Sequence, residues 1–446
     1  MPKRDVSRRE FVAGTAGALG AFHIVPRHVL GRGYRAPSDT INVACIGVGG
    51  MGRNDVRGVE SENLVAFADV DWQAAEDAFK TYPKARRYRD YREMLEKEAR
   101  NIDAVTVSTP DHSHAPAAML ALKAGKHVYC QKPLARTLGE VKALMAEAAR
   151  RPKQTTQMGN QGHTGDGMRI MREWVEAGVI GTVREVHYWT NRPIWPQGLD
   201  RPTQAHNVPP TMDWNLWLGP APERPYNPAY APFNWRGWWD FGTGALGDMA
   251  CHGMDAAFWA FDLGLPTRVS PETSKLYAET APKTSRVTYD FPAKGGRGPI
   301  TVYWRDGGLW PPRPDGLPDN MSWPPEEIGG QMWVGDTGAI LAGMYGDNPR
   351  HLDPARDAEL KANPLPVKYE RSPGVYKEWL AAIRAGTQPK STFDGHAGPL
   401  TRMVLLGCLA VRAGRPLDID AATVAPSNMK VPDEWLLPTY RRGWTL

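Results

Sequence analysis

The stretch Ile41-Asn42-Val43-Ala44-Cys45-Ile46-Gly47-Val48-Gly49-Gly50-Met51-Gly52 decides the fold. Ile41–Ile46 is a short apolar run of strand length, and Gly47, Gly49 and Gly52 fill the pattern G-x-G-x-x-G directly after it. The first glycine permits a tight turn, the second lets backbone approach a pyrophosphate, and the third lets the following helix pack closely on the strand. A helix opening at that turn also points its positive dipole end toward phosphates. Asp69 follows a second apolar run, Leu64–Ala68, and lies 22 residues after Gly47. A carboxylate at that place accepts hydrogen bonds from adenosine ribose hydroxyls and repels a 2′-phosphate. No arginine follows it in Val70-Asp71-Trp72. NAD is therefore the expected cofactor in preference to NADP.

Working outward, the same texture continues to about residue 158. Ala104–Val107 and His127–Cys130 read as further strands, and Ala115–Ala124 reads as a helix closed by Gly125. Thr137, with Glu140 three residues on, makes a capping box for a helix running to about Arg150. Strand and helix in regular alternation predict parallel βαβ units, hence a Rossmann-type α/β domain over residues 40–158. From residue 159 to 446 a second, α+β domain with a large, mostly antiparallel sheet is expected. Its signals are a helix at Met168–Ala177, strands at Val183–Thr190, 284–304 and 331–342, and helices at Val375–Ala385 and Leu400–Ala413. Residues 191–235 hold ten prolines and four tryptophans, with Trp238 and Trp239 just beyond. That composition predicts a structured excursion, neither helix nor strand.

The formal charge is +5, yet residues 1–35 hold seven basic side chains against Asp5 and Glu10, so the remainder is neutral. A nucleic-acid footprint in the body is thereby excluded. Ser7-Arg8-Arg9-Glu10-Phe11-Val12, followed by an Ala/Gly-rich stretch to Phe22, reads as a twin-arginine leader too short to span a bilayer. A folded protein exported to the periplasm, with no stable membrane insertion, is the expectation. Cys45, Cys130, Cys251 and Cys408 form no C-x-x-C pair and read as buried free thiols.

The glycine turn, Thr109-Pro110-Asp111-His112-Ser113-His114, Gln131-Lys132-Pro133-Leu134 and Gly247-Asp248-Met249-Ala250-Cys251-His252-Gly253-Met254-Asp255 together resemble the Gfo/Idh/MocA oxidoreductases, the glucose–fructose oxidoreductase and inositol dehydrogenase group. The resemblance runs from about residue 40 to the C-terminus. It implies NAD-dependent oxidation of a secondary hydroxyl on a sugar, glycoside or cyclitol. Its implied catalytic residues are His252 as general acid/base, with Asp248 and Lys132 orienting the reacting hydroxyl. Asp248 and His252 are four apart, so on a helix they share a face. The expected cofactor-binding set is Gly47, Gly49, Met51, Gly52, Asp69, Thr109, Pro110, His114 and Gln131. His163 and Trp304 are the expected substrate contacts, the indole because pyranose C–H faces stack on it. A metal held by Asp248, His252 and Asp255 is conceivable but has no cysteine or histidine cluster behind it, so no metal is expected. Relatives usually carry Glu-Lys-Pro where this chain has Gln131-Lys132-Pro133, which removes a negative charge beside the lysine. A homo-oligomer, dimer or tetramer, is the expected assembly. Two other readings stay open: a redox-neutral NAD-dependent glycosidase or lyase passing through a 3-keto intermediate, and a non-catalytic exported sugar-binding protein.

Overall fold

The computed structural model describes residues 40–446 apart from 316, 318, 321 and 324–327. The leader expected at 1–35 lies outside the described residues. Asn42–Leu446 forms one compact unit.

Six short strands form the first sheet: β1 Asn42–Ile46, β2 Asn63–Ala68, β3 Arg86–Tyr88, β4 Ala104–Val107, β5 His127–Cys130 and β6 Thr156–Met158. They lie in the order β3-β2-β1-β4-β5-β6, every pairing parallel. This is the doubly wound order in which ligands bind at the carboxyl ends of the strands beside the point where the order reverses. Helices on both faces explain why β4 is buried at every position and why β1 reads as continuously apolar. Those helices are α1 Gly52–Gly58, α2 Glu76–Thr81, α3 Tyr91–Lys97, α4 His114–Lys123 and α5 Leu138–Arg150. The capping box at α5 is present in both directions: Thr137 accepts from the Glu140 amide, and Glu140 accepts from the Thr137 amide. β3 and β6, three residues each, carry too little pattern to be read from sequence.

The second sheet has nine strands: β7 Val183–Thr190, β8 Arg268–Thr273, β9 Ser285–Phe291, β10 Ile300–Arg305, β11 Gly329–Gly335, β12 Ala339–Gly343, β13 Arg350–His351, β14 Leu417–Asp420 and β15 Ala425–Pro426. All its pairings are antiparallel except β7 with β10. The run expected as a strand over 284–304 is broken by a turn at Lys294–Arg297, between β9 and β10. The run at 331–342 divides into β11 and β12, turned by Asp336-Thr337-Gly338.

The remaining helices are α6 Asp166–Glu176, α7 Trp214–Leu218, α8 Gly244–Gly253, α9 Asp255–Ala260, α10 Pro354–Ala362, α11 Val375–Ala385, α12 Gly398–Ala413 and α13 Asp433–Leu436. α8 is buried along its whole length and lies against α12. Its Gly247 sits where space is short: a Cβ there would stand 2.2 Å from Thr243 Cβ and 3.3 Å from Cys408 Sγ on α12. The C-terminal helices reach back to the first sheet, where Val375 O accepts from Gln157 and Ser391 O from the Met158 amide. The excursion 191–243 folds on its own aromatic cluster of Trp217, Tyr230, Trp238 and Phe241. All four cysteines are buried and free. Among the described residues no helix is long and apolar enough to cross a membrane.

Candidate active site

The glycine turn sits between β1 and α1 as its spacing requires. Gly47 has φ +78°, and a Cβ there would meet Ser108 O at 2.7 Å. A Cβ on Gly52 would stand 2.1 Å from Gly47 O, so the third glycine is what lets α1 close onto the turn. Gly50, at φ +49°, has nothing within 4 Å of its Cβ position, and Met51 beside it is exposed. That open lip at Gly50 and Met51 leaves room for a dinucleotide against the turn. Asp69 follows β2 as expected, but its carboxylate is already engaged: Oδ2 accepts from the Val48 and Gly49 amides at 2.9 and 3.2 Å, and Oδ1 from the Asp71 amide at 2.9 Å. Burial raises its pKa, against these three amides. The carboxylate thus shapes the turn, from the end of β2 where a ribose ligand was expected. The absence of a nearby arginine in the sequence does not carry into space: Arg89 lies 4.5 Å over the Trp72 ring and donates to Val70 O and Thr211 O.

Lys132, Asp248 and His252 come together from two elements. Lys132, just past β5, donates from Nζ to Asp248 O at 2.8 Å and to Asp248 Oδ1 at 3.0 Å. Asp248 and His252 lie one turn apart on α8, both buried. Burial alone would raise the Asp248 carboxyl, but the Lys132 and Arg236 cations hold it down at about 2. Burial, with Lys132 beside it, holds the His252 imidazole at about 3, so the ring is neutral at physiological pH. Its Nδ1 is buried with no hydrogen-bond partner, and the ring packs 4.7 Å from that of Tyr345. A buried ring nitrogen without a partner costs about 1–3 kcal/mol unless a ligand satisfies it.

Three further residues belong to this cluster and were not singled out from sequence. Arg236, from the Pro/Trp-rich excursion, donates Nε to Asp248 Oδ1 at 3.3 Å and stacks between Trp235 and Phe233. Asp111 accepts from Thr243 Oγ1 at 2.9 Å; burial, then the Asp248 carboxylate, raises its pKa to about 7. Asp55, on α1, accepts from Gln131 Nε2 at 2.8 Å, Ser108 Oγ at 2.6 Å and Tyr376 Oη at 2.8 Å. Burial raises it to about 6 against those three donors. Gln131 thus donates to a buried carboxylate that lies 76 residues earlier in the chain.

Several expected contacts lie elsewhere. Trp304 is fully buried within β10, its indole N–H donating to Asp306 Oδ2 at 2.9 Å, so it has no face to offer a sugar. The excursion tryptophans Trp195, Trp217, Trp235 and Trp238 are likewise packed inside. His114 is buried with Nδ1 2.8 Å from Pro133 O and Nε2 2.8 Å from Thr109 O. Burial holds it neutral, at about 4, although both carbonyls favour a charged ring. The neutral ring has one N–H and donates to one of the two carbonyls, but both nitrogens face protein oxygen and neither is left for a cofactor. Gln131 is likewise buried and turned to Asp55. Thr109 and Pro110 lie at the carboxyl end of β4, and Thr109 Oγ1 is buried without a partner. His163 is buried, with Nδ1 3.0 Å from Asp255 Oδ1.

Two profiles of one family match the chain: the oxidoreductase family NAD-binding Rossmann fold over residues 41–159, and the oxidoreductase family C-terminal alpha/beta domain over 171–297. Among curated proteins, the inositol 2-dehydrogenase/D-chiro-inositol 3-dehydrogenase of Shouchella clausii is 32% identical over 157 residues, 33% of this chain and 44% of that one. The inositol 2-dehydrogenase of Salmonella typhimurium is 28% identical over 156 residues, 33% of this chain and 45% of that one. The chain thus matches less than half the length of these relatives. Among solved structures, the WlbA dehydrogenase of Bordetella pertussis, in complex with NADH and UDP-GlcNAcA, superposes with a TM-score of 0.60 at 18% identity, covering 85% of this chain and 98% of that one. The myo-inositol 2-dehydrogenase of Lactobacillus plantarum gives 0.56 at 18% identity, covering 85% and 100%. With the strand order, the glycine turn and two matched domains spanning more than half of its residues, the chain belongs to the Gfo/Idh/MocA oxidoreductase family.

Proposed function

We propose that this protein oxidises a secondary hydroxyl of a sugar, glycoside or cyclitol with NAD. The observation that carries the reading is the buried, unpartnered Nδ1 of His252 beside the Lys132–Asp248 pair. When bound, NAD supplies the acceptor for the hydride that leaves the carbinol carbon. Lys132 gives two of its three N–H donors to Asp248, and the third is available to the substrate oxygen, where it stabilises developing negative charge. Neutral His252 takes the hydroxyl proton, and Asp248, one helical turn away, stabilises the imidazolium that results. Arg236 and Lys132 together keep Asp248 ionised for that task. Inositol dehydrogenases among the relatives support a polyol as substrate class. Mixing the purified protein and NAD with a panel of cyclitols and pyranosides, while following NADH absorbance, tests the reading. NADH formed with at least one polyol, approaching one per chain because the cofactor stays bound, is expected; converted product without NADH would redirect the assignment to an internally balanced redox cycle.

We further infer that the protein is exported folded, with NAD already bound. The support is the twin-arginine pattern at Ser7–Val12 together with a complete dinucleotide turn at Gly47–Gly52. No soluble NAD pool is expected outside the cytoplasmic membrane, so the cofactor must be retained through many turnovers, and the NADH formed in each must be reoxidised in place by the carbonyl of a second sugar or by the keto intermediate of the same reaction.

A further inference from the structure

Hydride transfer as described uses Lys132, Asp248 and His252. A second buried polar cluster, one helix boundary away, has no part in it. His163 comes from the turn Gln161–Thr164 after β6, Asp255 is the first residue of α9, and His396 comes from a π-helical turn, Phe393–Ala397, that leads into α12. Chain positions separated by 92 and 141 residues thus converge on one carboxylate. His163 Nδ1 and His396 Nε2 both face the same oxygen, Asp255 Oδ1, at 3.0 and 2.6 Å, with the two rings 4.3 Å apart. One potential ligand atom from each residue lies within 4.8 Å of the others.

We propose that His163, Asp255 and His396 hold a divalent transition-metal ion of the zinc class. Two imidazoles and one carboxylate are a recurrent donor set for such ions, and bonds of about 2.0–2.2 Å put neighbouring tetrahedral ligands about 3.3 Å apart. To reach that arrangement the two histidine–carboxylate separations, 3.0 and 2.6 Å, have to open by about 0.3 and 0.7 Å, the ion entering between groups that now touch. The far oxygen of the carboxylate is already fixed: Asn160 Nδ2 donates to Asp255 Oδ2 at 2.5 Å, and Ser391 Oγ donates to Asn160 Oδ1 at 2.8 Å. Such an outer pair aims a one-oxygen carboxylate ligand and fixes its orientation. Asp255 is completely buried, so its negative charge has no water around it and a cation is the natural counterpart. His396 is the more exposed of the two histidines and gives an ion its way in. The irregular π turn that presents it is a backbone form frequent at functional sites. Three protein ligands leave a fourth position open, the pattern of a metal that carries a water or a substrate hydroxyl.

The competing arrangement is metal-free, each imidazole donating one N–H to Asp255. Full-length protein, exchanged against a mild chelator and then loaded with cobalt(II) as the probe, separates the two. The proposal expects one cobalt per chain, visible ligand-field bands of a four-coordinate site, displacement of those bands by zinc, and a higher melting temperature on loading. His396→Ala and His163→Ala are expected to lose the bands while still binding NAD. Should either fail to fold, the wild-type titration with cobalt, zinc and chelator decides alone. Cobalt bound at well under one per chain, featureless spectra, or full bands in the folded His396→Ala variant would overturn the assignment. Each readout is independent of turnover, so the metal site and the oxidoreductase reading stand or fall separately.

Discussion

A neutral imidazole sealed from water keeps its lone pair for whatever enters the cleft, and that is the condition of His252. His252→Ala is expected to lower turnover by at least about a hundredfold, the usual scale for removing a general base, with dinucleotide affinity and melting temperature unchanged. Stopped turnover with an unfolded protein, or normal turnover, would count against the role. Protons at this site also link to stability. His252 titrates near 6.5 in the unfolded chain and at about 3 in the fold, so its contribution is present above 6.5 and lost as pH falls toward 3. Asp111 runs the other way: its folded value is about 7 against an unfolded 3.8, so its contribution is present below 3.8 and lost as pH rises through 7. Near pH 5 the two cancel, because unfolding moves one proton onto His252 and one off Asp111. Asp111→Asn leaves the histidine uncompensated. Its stability should therefore fall with decreasing pH more steeply than wild type, by about 1.4 kcal/mol per pH unit between about pH 4.5 and 6. Denaturant titrations across that range check this; parallel slopes for the two proteins would contradict it. Of this chemistry the sequence displayed Lys132, Asp248 and His252, because a motif carries them. Arg236 and Asp111 were hidden, because what matters about them is which buried neighbour they face. Trp304 misled for the same reason: an indole looks alike in sequence whether its ring faces a cleft or a core.

At the scale of elements, the turn between β1 and α1 depends on atoms that would collide. Gly52→Ala puts a methyl 2.1 Å from a backbone oxygen that cannot rotate away. The expected cost is about 1–3 kcal/mol of stability and at least a tenfold loss of NAD affinity. Gly50→Asn, where the added atoms meet open space and asparagine tolerates φ +49°, should bind NAD within about threefold of wild type. Calorimetric titration of both variants distinguishes a turn built by packing from one that is only permissive; equal losses would argue against the packing account. Elements of this half were legible because their signals are local: β4 and β5 span their apolar runs, α4 closes just before Gly125, and α5 opens at its capping box. β3 and β6 are too short to show a period. The excursion 191–243 was legible only as an excursion, since its order comes from aromatic contacts among its own distant residues.

Across the whole molecule, the two halves of the chain are joined by contacts that no local pattern encodes. Tyr376 reaches Asp55 across 321 positions, and the loop after β2 pairs with the excursion where Trp72 N donates to Thr211 O. That second contact braces the loop carrying Asp69, which would slow the release of a dinucleotide held there. Slow exchange is the consequence: protein purified without added nucleotide is expected to retain NAD through extended dialysis, seen by mass spectrometry of the denatured supernatant. Protein that empties readily and needs fresh NAD for each turnover would contradict both retention and the loading of cofactor before export.

The central claim, that His252 and Lys132 serve hydride transfer from a polyol hydroxyl to bound NAD, is tested most directly by a single-turnover measurement. Protein holding its NAD is mixed rapidly with an excess of a cyclitol or pyranoside, and absorbance at the NADH band is followed. A rise approaching one NADH per chain, slowed at least about a hundredfold in His252→Ala with the same NAD content, is the predicted result. No absorbance change with any polyol in the panel, or an equal rate in the variant, would contradict the account.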